Sequence, residues 1–422
     1  MPGPGSARGT DEPRPMRRRL GFGVLWLLAG GAIVRLVLIA LVGGEYYDVH
    51  NFARVGEAFI RAPLHVYQVD VNPGSFQGSP TYLWPYLPAF IPVLGALRWL
   101  SDQLGVTFSH LDRAVIGAVD LGLAWLVYRI LGALRRSRPE RLAGAALIAF
   151  GPAFVAISAL HGQIDVVAWL PAVAAVGLWE LRRGGDRALL CGALLGLGIA
   201  IKTTPGLVLL ALAPTARDRR ELLALVVSAA TVAAITVVPF AIVAPRGLSA
   251  ITGYGGFAGR AGLTALLQPR LAIHDLTGPP VIYDATTRWL LAHSDIVLAA
   301  ALIPVEAIVW ARRLPAAEAT VALLLAFYVA GAAILPQYWL WIVPFLILAH
   351  RLRAALVYQL ALLPLLAATY AFLQEPDQPN RHLSTGLVLY GYVPVLWIVT
   401  LGLLAALIAL LAKPRSVRAV AT

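Results

Sequence analysis

Long apolar runs are the feature that most constrains the fold of this chain. Many of them reach roughly 18 residues or more, the length of an α-helix that crosses a bilayer. Hydrophobic residues make up 59% of the sequence, whereas about half of a typical soluble domain is apolar. The pattern therefore predicts an all-α polytopic membrane protein surrounded by membrane lipid.

The charge of the chain does not indicate a nucleic-acid partner. The formal net charge is +12, but the basic residues stand in short clusters between the apolar runs, which is a signal of membrane topology. A single cysteine, Cys191, excludes an internal disulfide and lies in an apolar run. We expect it to be a small buried hydrophobic residue.

Basic residues also orient the chain. Four arginines between positions 14 and 19 place the N-terminus on the cytoplasmic side. Residues 1–19 are predicted to be a disordered basic segment, and 413–422 a cytoplasmic tail. Residues 20–412 between them are predicted to form a single domain of about 11–12 transmembrane helices.

The segment 83–100 decides how the remaining spans alternate. It holds three prolines and an internal arginine, which disfavour a regular spanning helix. Counting it as a span would also place the four arginines of 135–141 outside, against the positive-inside rule. We therefore predict that it enters the membrane without crossing. The predicted spans are 20–43, 112–134, 141–160, 165–181, a short pair at 188–201 and 204–214, 221–243, 294–311, 316–335, 337–350, 353–373 and 387–412.

This topology places two long loops on the outer face, at 44–111 and 244–293. The inside loops are short and basic, so they offer no residues for cytosolic nucleotide chemistry or covalent hydrolysis. Any chemistry is therefore expected on the outer face of the plasma membrane.

The stretch "GGEYYDVHNF" (43–52) opens the first outer loop. An amphipathic helix is predicted to begin at Asp48 and to lie on the outer surface. Asp48 then either caps that helix or acts as a general base at the membrane–water boundary. Glu45, Tyr47 and His50 beside it are candidate substrate contacts.

A second polar group interrupts the apolar sequence "ALHGQIDVVAWL" (159–170). His161, Gln163 and Asp165 could form a wet turn between two spans, with Gly162 allowing the bend. A carboxylate so close to lipid depth suggests a functional role. Asp165 is left as either a helix cap or a site residue.

A third candidate is Lys202 in "IAIKTTPGLV" (199–208), one of only two lysines in the chain. Pro205 breaks the helix just after it. A buried lysine needs an anionic partner. That partner is either a phosphate or a carboxylate such as Asp165 or Asp120, unless the side chain snorkels to the surface.

Weaker signals come from two other stretches. Arg260 lies in the glycine-rich loop 252–262 and is a candidate phosphate or sugar contact. Tyr338 in "PQYWLW" (336–341) belongs either to an aromatic belt or to a sugar-stacking surface. No metal-ligand spacing is present, so no metal and no cofactor are predicted.

Four of these stretches together resemble the GT-C superfamily of membrane glycosyltransferases, in particular the polyprenyl-phosphate-mannose-dependent enzymes of glycosyltransferase family 87. They are "YYDVHNF", "YLWPYLP" (82–88), "HGQID" (161–165) and "GLGIAIKTTP" (196–205). The usual "YPP" of the family is "WPYLP" here, with Tyr86 as the expected contact. No paired DxD is present, which also agrees with a metal-free reaction.

The resemblance implies a GT-C helix bundle and an inverting hexosyl transfer. The donor would be a polyprenyl-phosphate-linked sugar, mannose by default, which serves as co-substrate. The acceptor would be a glycolipid or a cell-envelope polysaccharide. Asp48 would be the base, Lys202 would hold the donor phosphate, and the 161–165 trio would line the acceptor or sugar pocket.

Two other classes of protein remain open from the residues alone. A secondary transporter also needs charges within the membrane, but it predicts pseudo-symmetric halves, and no internal repeat is apparent. A flippase for lipid-linked substrates would tolerate the loss of Asp48.

Overall fold

The computed structural model describes residues 22–44, 46–70, 84–181, 187–245, 251, 258, 260–277, 283–370 and 384–412. Within these ranges the regular structure is helical throughout. The predicted N-terminal segment 1–19, the tail 413–422 and Glu45 lie outside the described residues, as does most of the glycine-rich loop.

The helices of the described ranges are numbered in chain order. In chain order the α-helices are α1 (Phe22–Leu41), α2 (Tyr46–Arg61), α3 (Ile91–Leu104), α4 (Phe108–Ala133), α5 (Arg138–Ala149), α6 (Pro152–Phe154), α7 (Asp165–Leu181), α8 (Arg187–Ile201), α9 (Leu207–Leu212), α10 (Arg219–Val243), α11 (Leu263–Leu267), α12 (Arg270–Thr277), α13 (Ala285–Ala292), α14 (Ser294–Arg312), α15 (Ala316–Ala330), α16 (Ile342–Leu348), α17 (Leu352–Tyr370), α18 (Thr385–Leu387) and α19 (Val393–Ala412). Tighter 3-10 turns lie at Pro63–Gln68, Pro88–Phe90, Thr204–Gly206, Ala213–Thr215 and Pro336–Leu340, and π-helices lie at Val155–His161 and Val388–Tyr392.

Seven helices among the described residues are long and apolar enough to cross a membrane. They are Phe22–Leu41, Phe108–Ala133, Arg138–His161, Arg219–Val243, Ser294–Arg312, Leu352–Tyr370 and Thr385–Ala412. Shorter apolar helices lie at Arg187–Ile201, Thr204–Thr215, Ala316–Ala330 and Pro336–Leu348. The predicted all-α, multi-pass architecture is confirmed. The segment 83–100 forms a 3-10 turn and most of α3, and it is not one of the seven.

The peripheral helices expose their apolar side chains. Only 11% of the membrane-spanning stretch is buried inside the protein in α10 and in α14, against 50% in α4. Ile242 on α10 is 76% exposed. Such a surface is unfavourable in water and is the surface that lipid tails cover. By contrast, α7 and α15 are buried along most of their length and form the centre of the bundle.

Glycines let α8 lie close to its two neighbours. A Cβ at Gly196 would lie 2.5 Å from the carbonyl oxygen of Ala229 on α10, and one at Gly198 would lie 2.6 Å from that of Ala168 on α7. Gly192 contacts the backbone of α10 one turn earlier. This small-xxx-small spacing allows the backbone approach that stabilises helix pairs in membranes.

A buried ion pair joins α1 to α4. Arg35 Nη2 lies 2.9 Å from Asp120 Oδ2, and both side chains are almost fully buried. Arg35 also donates to the carbonyl oxygens of Ala149 and Gly31. Asp120 therefore faces the bundle interior, as its mid-span position predicts, and its partner is Arg35 rather than Lys202.

Two interruptions of the helices bring polar side chains into the bundle. The π-helix Val155–His161 ends at Gly162, which has a left-handed backbone with φ of 90°, and α7 begins three residues later. The second interruption follows α8, where Lys202 and Thr203 precede a 3-10 turn. Irregular backbone at membrane depth is tolerated where protein buries it or where it lines a cavity.

The contact between α8 and α10 generates the first prediction. Gly196→Ala should lower the thermal unfolding temperature in detergent, because the added methyl group would collide with the carbonyl of Ala229. Gly402→Ala on α19 is the matched control, since nothing lies within 4 Å of a Cβ there. The control should not lower the unfolding temperature, because alanine favours a helix by about 1 kcal/mol over glycine. Equal effects of the two substitutions would contradict this packing.

Candidate active site

The carboxylate of Asp48 lies in the first turn of α2 and is held by two side chains from the first helix interruption. His161 Nε2 lies 2.6 Å from Asp48 Oδ2, and Gln163 Nε2 donates to the same oxygen. The Asp48 side chain is 21% exposed, whereas that of His161 is 5% exposed. Asp48 is thus accessible from one side and fixed from the other.

Gly162 makes this approach of α2 to the interruption possible. A Cβ at Gly162 would lie 3.1 Å from Val49 Cγ2 and 3.0 Å from Arg113 Cγ. The positive φ already disfavours other residues. Arg113 donates to the carbonyl oxygens of Ala159 and Ile39, so it ties the end of the π-helix to α1.

The environment of Asp48 keeps its carboxylate ionised. Burial by itself would raise the pKa of Asp48. The hydrogen bonds from His161 and Gln163 and the charge of Lys202 oppose this effect, and the pKa lies below its ordinary value. The lowered pKa leaves Asp48 ionised, which is the state that a general base requires. Asp48 lies on α2, which is not one of the seven spanning helices.

Asp165 and Lys202 form a second, separate arrangement. Lys202 Nζ donates to both carboxylate oxygens of Asp165, at 2.9 and 3.0 Å. Trp341 Nε1 donates to Asp165 Oδ1 at 2.6 Å. Asp165 is fully buried. Of the alternatives that the sequence left open for Lys202, the structure shows an ion pair with Asp165.

Aromatic rings surround the ammonium group of Lys202. Its Nζ lies 5.0 Å from the ring centre of Tyr86, 4.9 Å from Tyr338 and 5.6 Å from Trp341. Such cation–π contacts contribute about 0.5–2 kcal/mol each, more when they are desolvated. Tyr86 and Tyr338, predicted from distant parts of the sequence, therefore meet at one lysine.

A cavity of about 380 Å³ opens beside this lysine. Its wall combines the second helix interruption with the first outer loop, the start of α14 and the segment after α15. The lining residues are Pro85, Tyr86, Leu87, Lys202, Thr203, Thr204, Ile251, Ser294, Asp295, Leu298, Phe327, Gly331, Ala332, Ala333 and Tyr338. The 161–165 trio is not part of this lining, and neither is Asp48.

The trio is divided between the two arrangements. His161 and Gln163 contact Asp48, whereas Asp165 contacts Lys202. The arrangements are linked electrostatically, because the charge of Lys202 contributes to the lowered pKa of Asp48.

The other predicted substrate contacts lie outside the lining of the cavity. Tyr47 and His50 are partly buried on α2, and burial together with the charge of Arg54 lowers the pKa of His50. Arg260 accepts a hydrogen bond at its carbonyl oxygen from Tyr392 Oη, at 2.6 Å. None of the three lines the cavity.

Two side chains near Asp48 escaped the sequence reasoning. Tyr370 Oη at the end of α17 lies 2.9 Å from His161 Nδ1. Asp112 on α4 is fully buried, and no donor among the described residues reaches either of its oxygens. An acidic residue at the start of a span was the available signal for Asp112. Tyr370 carried none, since a tyrosine at a span end is typical of an aromatic belt.

Comparison with known families decides the class of protein. The chain matches the sequence profile of glycosyltransferase family 87 over residues 84–336, which is more than half of its length. The chain belongs to glycosyltransferase family 87. This membership makes it a membrane glycosyltransferase and favours the enzyme over the transporter and flippase alternatives. The matched range includes Lys202 and the 161–165 trio, and it begins after Asp48.

A solved structure shows the same fold. ArnT from Cupriavidus metallidurans in its apo state is 17% identical, with a TM-score of 0.50, over 92% of this chain and 76% of that one. ArnT bound to undecaprenyl phosphate matches over the same shares, with 16% identity and a TM-score of 0.46. No curated protein sequence matches the chain. The apo structure supports the GT-C fold predicted for this family 87 enzyme.

The lowered pKa of Asp48 predicts the pH dependence of transfer. A carboxylate acts as a base only above its pKa, so with Asp48 in that role kcat/KM should fall only below the ordinary aspartate value of about 3.9. Gln163→Met removes one donor to the carboxylate and should move this acid limb to higher pH. Gln359→Met, which removes a buried amide bonded to Leu147 O, should leave the limb in place. A limb that does not move in Gln163→Met would contradict this account.

The ion pair between Asp165 and Lys202 predicts that a variant without the Asp165 carboxylate is less stable than the wild type. Asp165→Asn leaves a buried ammonium group without its counter-ion, which should lower the free energy of unfolding by about 3–5 kcal/mol. The double variant Asp165→Asn/Lys202→Met removes both charges and should recover most of that loss. The free energy of unfolding of both variants is measured in detergent. Glu57→Gln removes one partner of an exposed ion pair and is the control, with an expected stability near wild type. A single variant as stable as wild type would contradict the ion pair.

Proposed function

We propose that this enzyme transfers a hexose from a polyprenyl-phosphate-linked donor to a lipid or glycan acceptor, with inversion at the anomeric carbon and with Asp48 as general base. The observation that carries the proposal is the partly exposed carboxylate of Asp48, which His161 and Gln163 hold by hydrogen bonds and which feels the charge of Lys202, a lysine in the lining of the cavity. A glycosyltransferase needs a base for the acceptor hydroxyl and a site for the leaving phosphate.

The cavity is suited to the phosphate and the sugar of the donor. An ammonium group has three N–H donors, and Lys202 directs two of them to Asp165, which leaves the third for a phosphate oxygen. Thr203 and Thr204 add hydroxyl groups beside it. Tyr86 and Tyr338 provide aromatic faces for a sugar ring, and Asp295 provides a carboxylate for sugar hydroxyls.

The reaction then needs no metal and no cofactor. Asp48 removes the proton from an acceptor hydroxyl, and the acceptor oxygen attacks the anomeric carbon of the donor. The bond between that carbon and the phosphate oxygen breaks, and its electron pair leaves with polyprenyl phosphate. Attack opposite the leaving group inverts the configuration. The proton ends on Asp48 and is released to water.

Resemblance to the polyprenyl-phosphate-mannose enzymes favours mannose as the sugar and a glycolipid or cell-envelope polysaccharide as the acceptor. The short, basic inside loops predicted from the sequence support a site on the outer face, for which we propose the plasma membrane. Glucose, galactose and arabinose donors belong in the same test panel.

The decisive experiment compares Asp48→Asn with Glu57→Gln in protein purified into lipid. The donors are radiolabelled polyprenyl-phosphate sugars, and the acceptor is a membrane glycolipid extract. Loss of the base should reduce transfer by about a hundredfold or more. Glu57 lies on the same helix but is exposed and paired with Arg61, so its variant should keep the wild-type rate.

Equal transfer by wild type and Asp48→Asn would reject Asp48 as the base. Absence of transfer by wild type from every donor in the panel, with folded protein, would reject the polyprenyl-phosphate donor.

A further inference from the structure

We propose that Tyr370, His161 and Asp48 form one directional chain of hydrogen bonds, in which Tyr370 and His161 are positioning residues for the base. This inference rests on the role proposed above for Asp48. The chain joins three segments that are far apart in sequence: the end of α17, the end of the π-helix and the first turn of α2.

The direction of the chain follows from the chemistry of its ends. An ionised carboxylate only accepts hydrogen bonds, so the 2.6 Å contact with Asp48 places a hydrogen on His161 Nε2. In a neutral imidazole the other nitrogen is then an acceptor. The hydroxyl of Tyr370, 2.9 Å from Nδ1, donates to it.

The surroundings hold the imidazole ring in place. The His161 side chain is 5% exposed, and the ring of Tyr370 packs against it edge to face, with ring centres 5.5 Å apart. A nitrogen buried without a hydrogen-bond partner is unfavourable. Without the hydroxyl of Tyr370, Nδ1 would lose its donor, and the orientation of the ring would be less strictly fixed.

A correctly oriented imidazole fixes the carboxylate in turn. Nε2 of His161 and the amide of Gln163 both bond to Oδ2 of Asp48, which fixes the orientation of the carboxylate. Catalysis is sensitive to such positioning, because small displacements of a base reduce the rate. Neither His161 nor Tyr370 lines the 380 Å³ cavity, so their loss should act on kcat rather than on the KM of the donor.

Two variants separate a hydrogen-bond role from packing. Tyr370→Phe keeps the ring and removes only the hydroxyl, and it should lower kcat about tenfold with an unchanged donor KM. His161→Leu removes both the N–H group bonded to Asp48 and the acceptor for Tyr370. In the His161→Leu background, Tyr370→Phe should therefore cause no further loss, since residues that act as a unit are non-additive.

Tyr358→Phe is the matched control. Tyr358 lies on the same helix α17, is buried, and donates its hydroxyl hydrogen to Trp339 O at 3.0 Å. Its variant should keep the wild-type kcat. Equal kcat losses in Tyr358→Phe and Tyr370→Phe, or full additivity with His161→Leu, would overturn the chain.

A second measurement does not depend on turnover. The protein is labelled with ¹⁵N-histidine and studied in nanodiscs. Among the signals of its eight histidines, those of His161 are identified because they are missing in His161→Leu. They should show hydrogen on Nε2 and a hydrogen-bonded Nδ1 that loses this bond in Tyr370→Phe. Hydrogen on Nδ1, or a signal unchanged in Tyr370→Phe, would overturn the chain. Failure of transfer from every donor would instead reject the proposed function.

Discussion

The ion pair between Asp165 and Lys202 is the interaction on which the rest of the site depends. It joins the start of α7 to the interruption after α8, and Trp341 adds a third segment through its bond to Asp165. Tyr86 from the first outer loop covers the same lysine. Charges buried in this way must be paired. The pair therefore holds these segments together in the folded protein.

A bilayer explains why the polar residues gather at the interruptions. Regular helices satisfy their own backbone groups, and irregular backbone in the hydrocarbon region must be buried or line a cavity. Both interruptions lie inside the bundle, around His161 and around Lys202. The apolar faces of α10, α14 and α19 remain outside. The same constraint that forms the helices therefore restricts reactive side chains to a few places between them.

The carboxylates of Asp48 and Asp165 have different surroundings, and such a difference gives the carboxylates of many active sites different roles. Asp165 is fully buried and its charge is neutralised by Lys202. Asp48 is partly exposed and is held by His161 and the amide of Gln163. Of the two carboxylates, only that of Asp48 is both ionised and partly exposed. This difference, rather than residue type, makes Asp48 the candidate base.

Apolar runs and isolated polar groups, which are local properties, determined a large part of this protein. They predicted the all-α bundle, and they singled out Asp48, His161, Gln163 and Lys202. The resemblance of four short stretches predicted the enzyme family, which the profile match confirmed. These features could be found because a bilayer penalises each polar residue individually, so a polar group within an apolar run is conspicuous.

Only the tertiary structure decided which of these groups meet. Lys202 pairs with Asp165, while Asp120 pairs with Arg35. Tyr370 reaches His161 across the bundle, although nothing in its own sequence neighbourhood indicates it. Pairing depends on how helices distant in sequence pack and rotate against one another. That packing is set by close backbone contacts such as those at Gly196 and Gly162, and a single chain's hydrophobic pattern does not encode it.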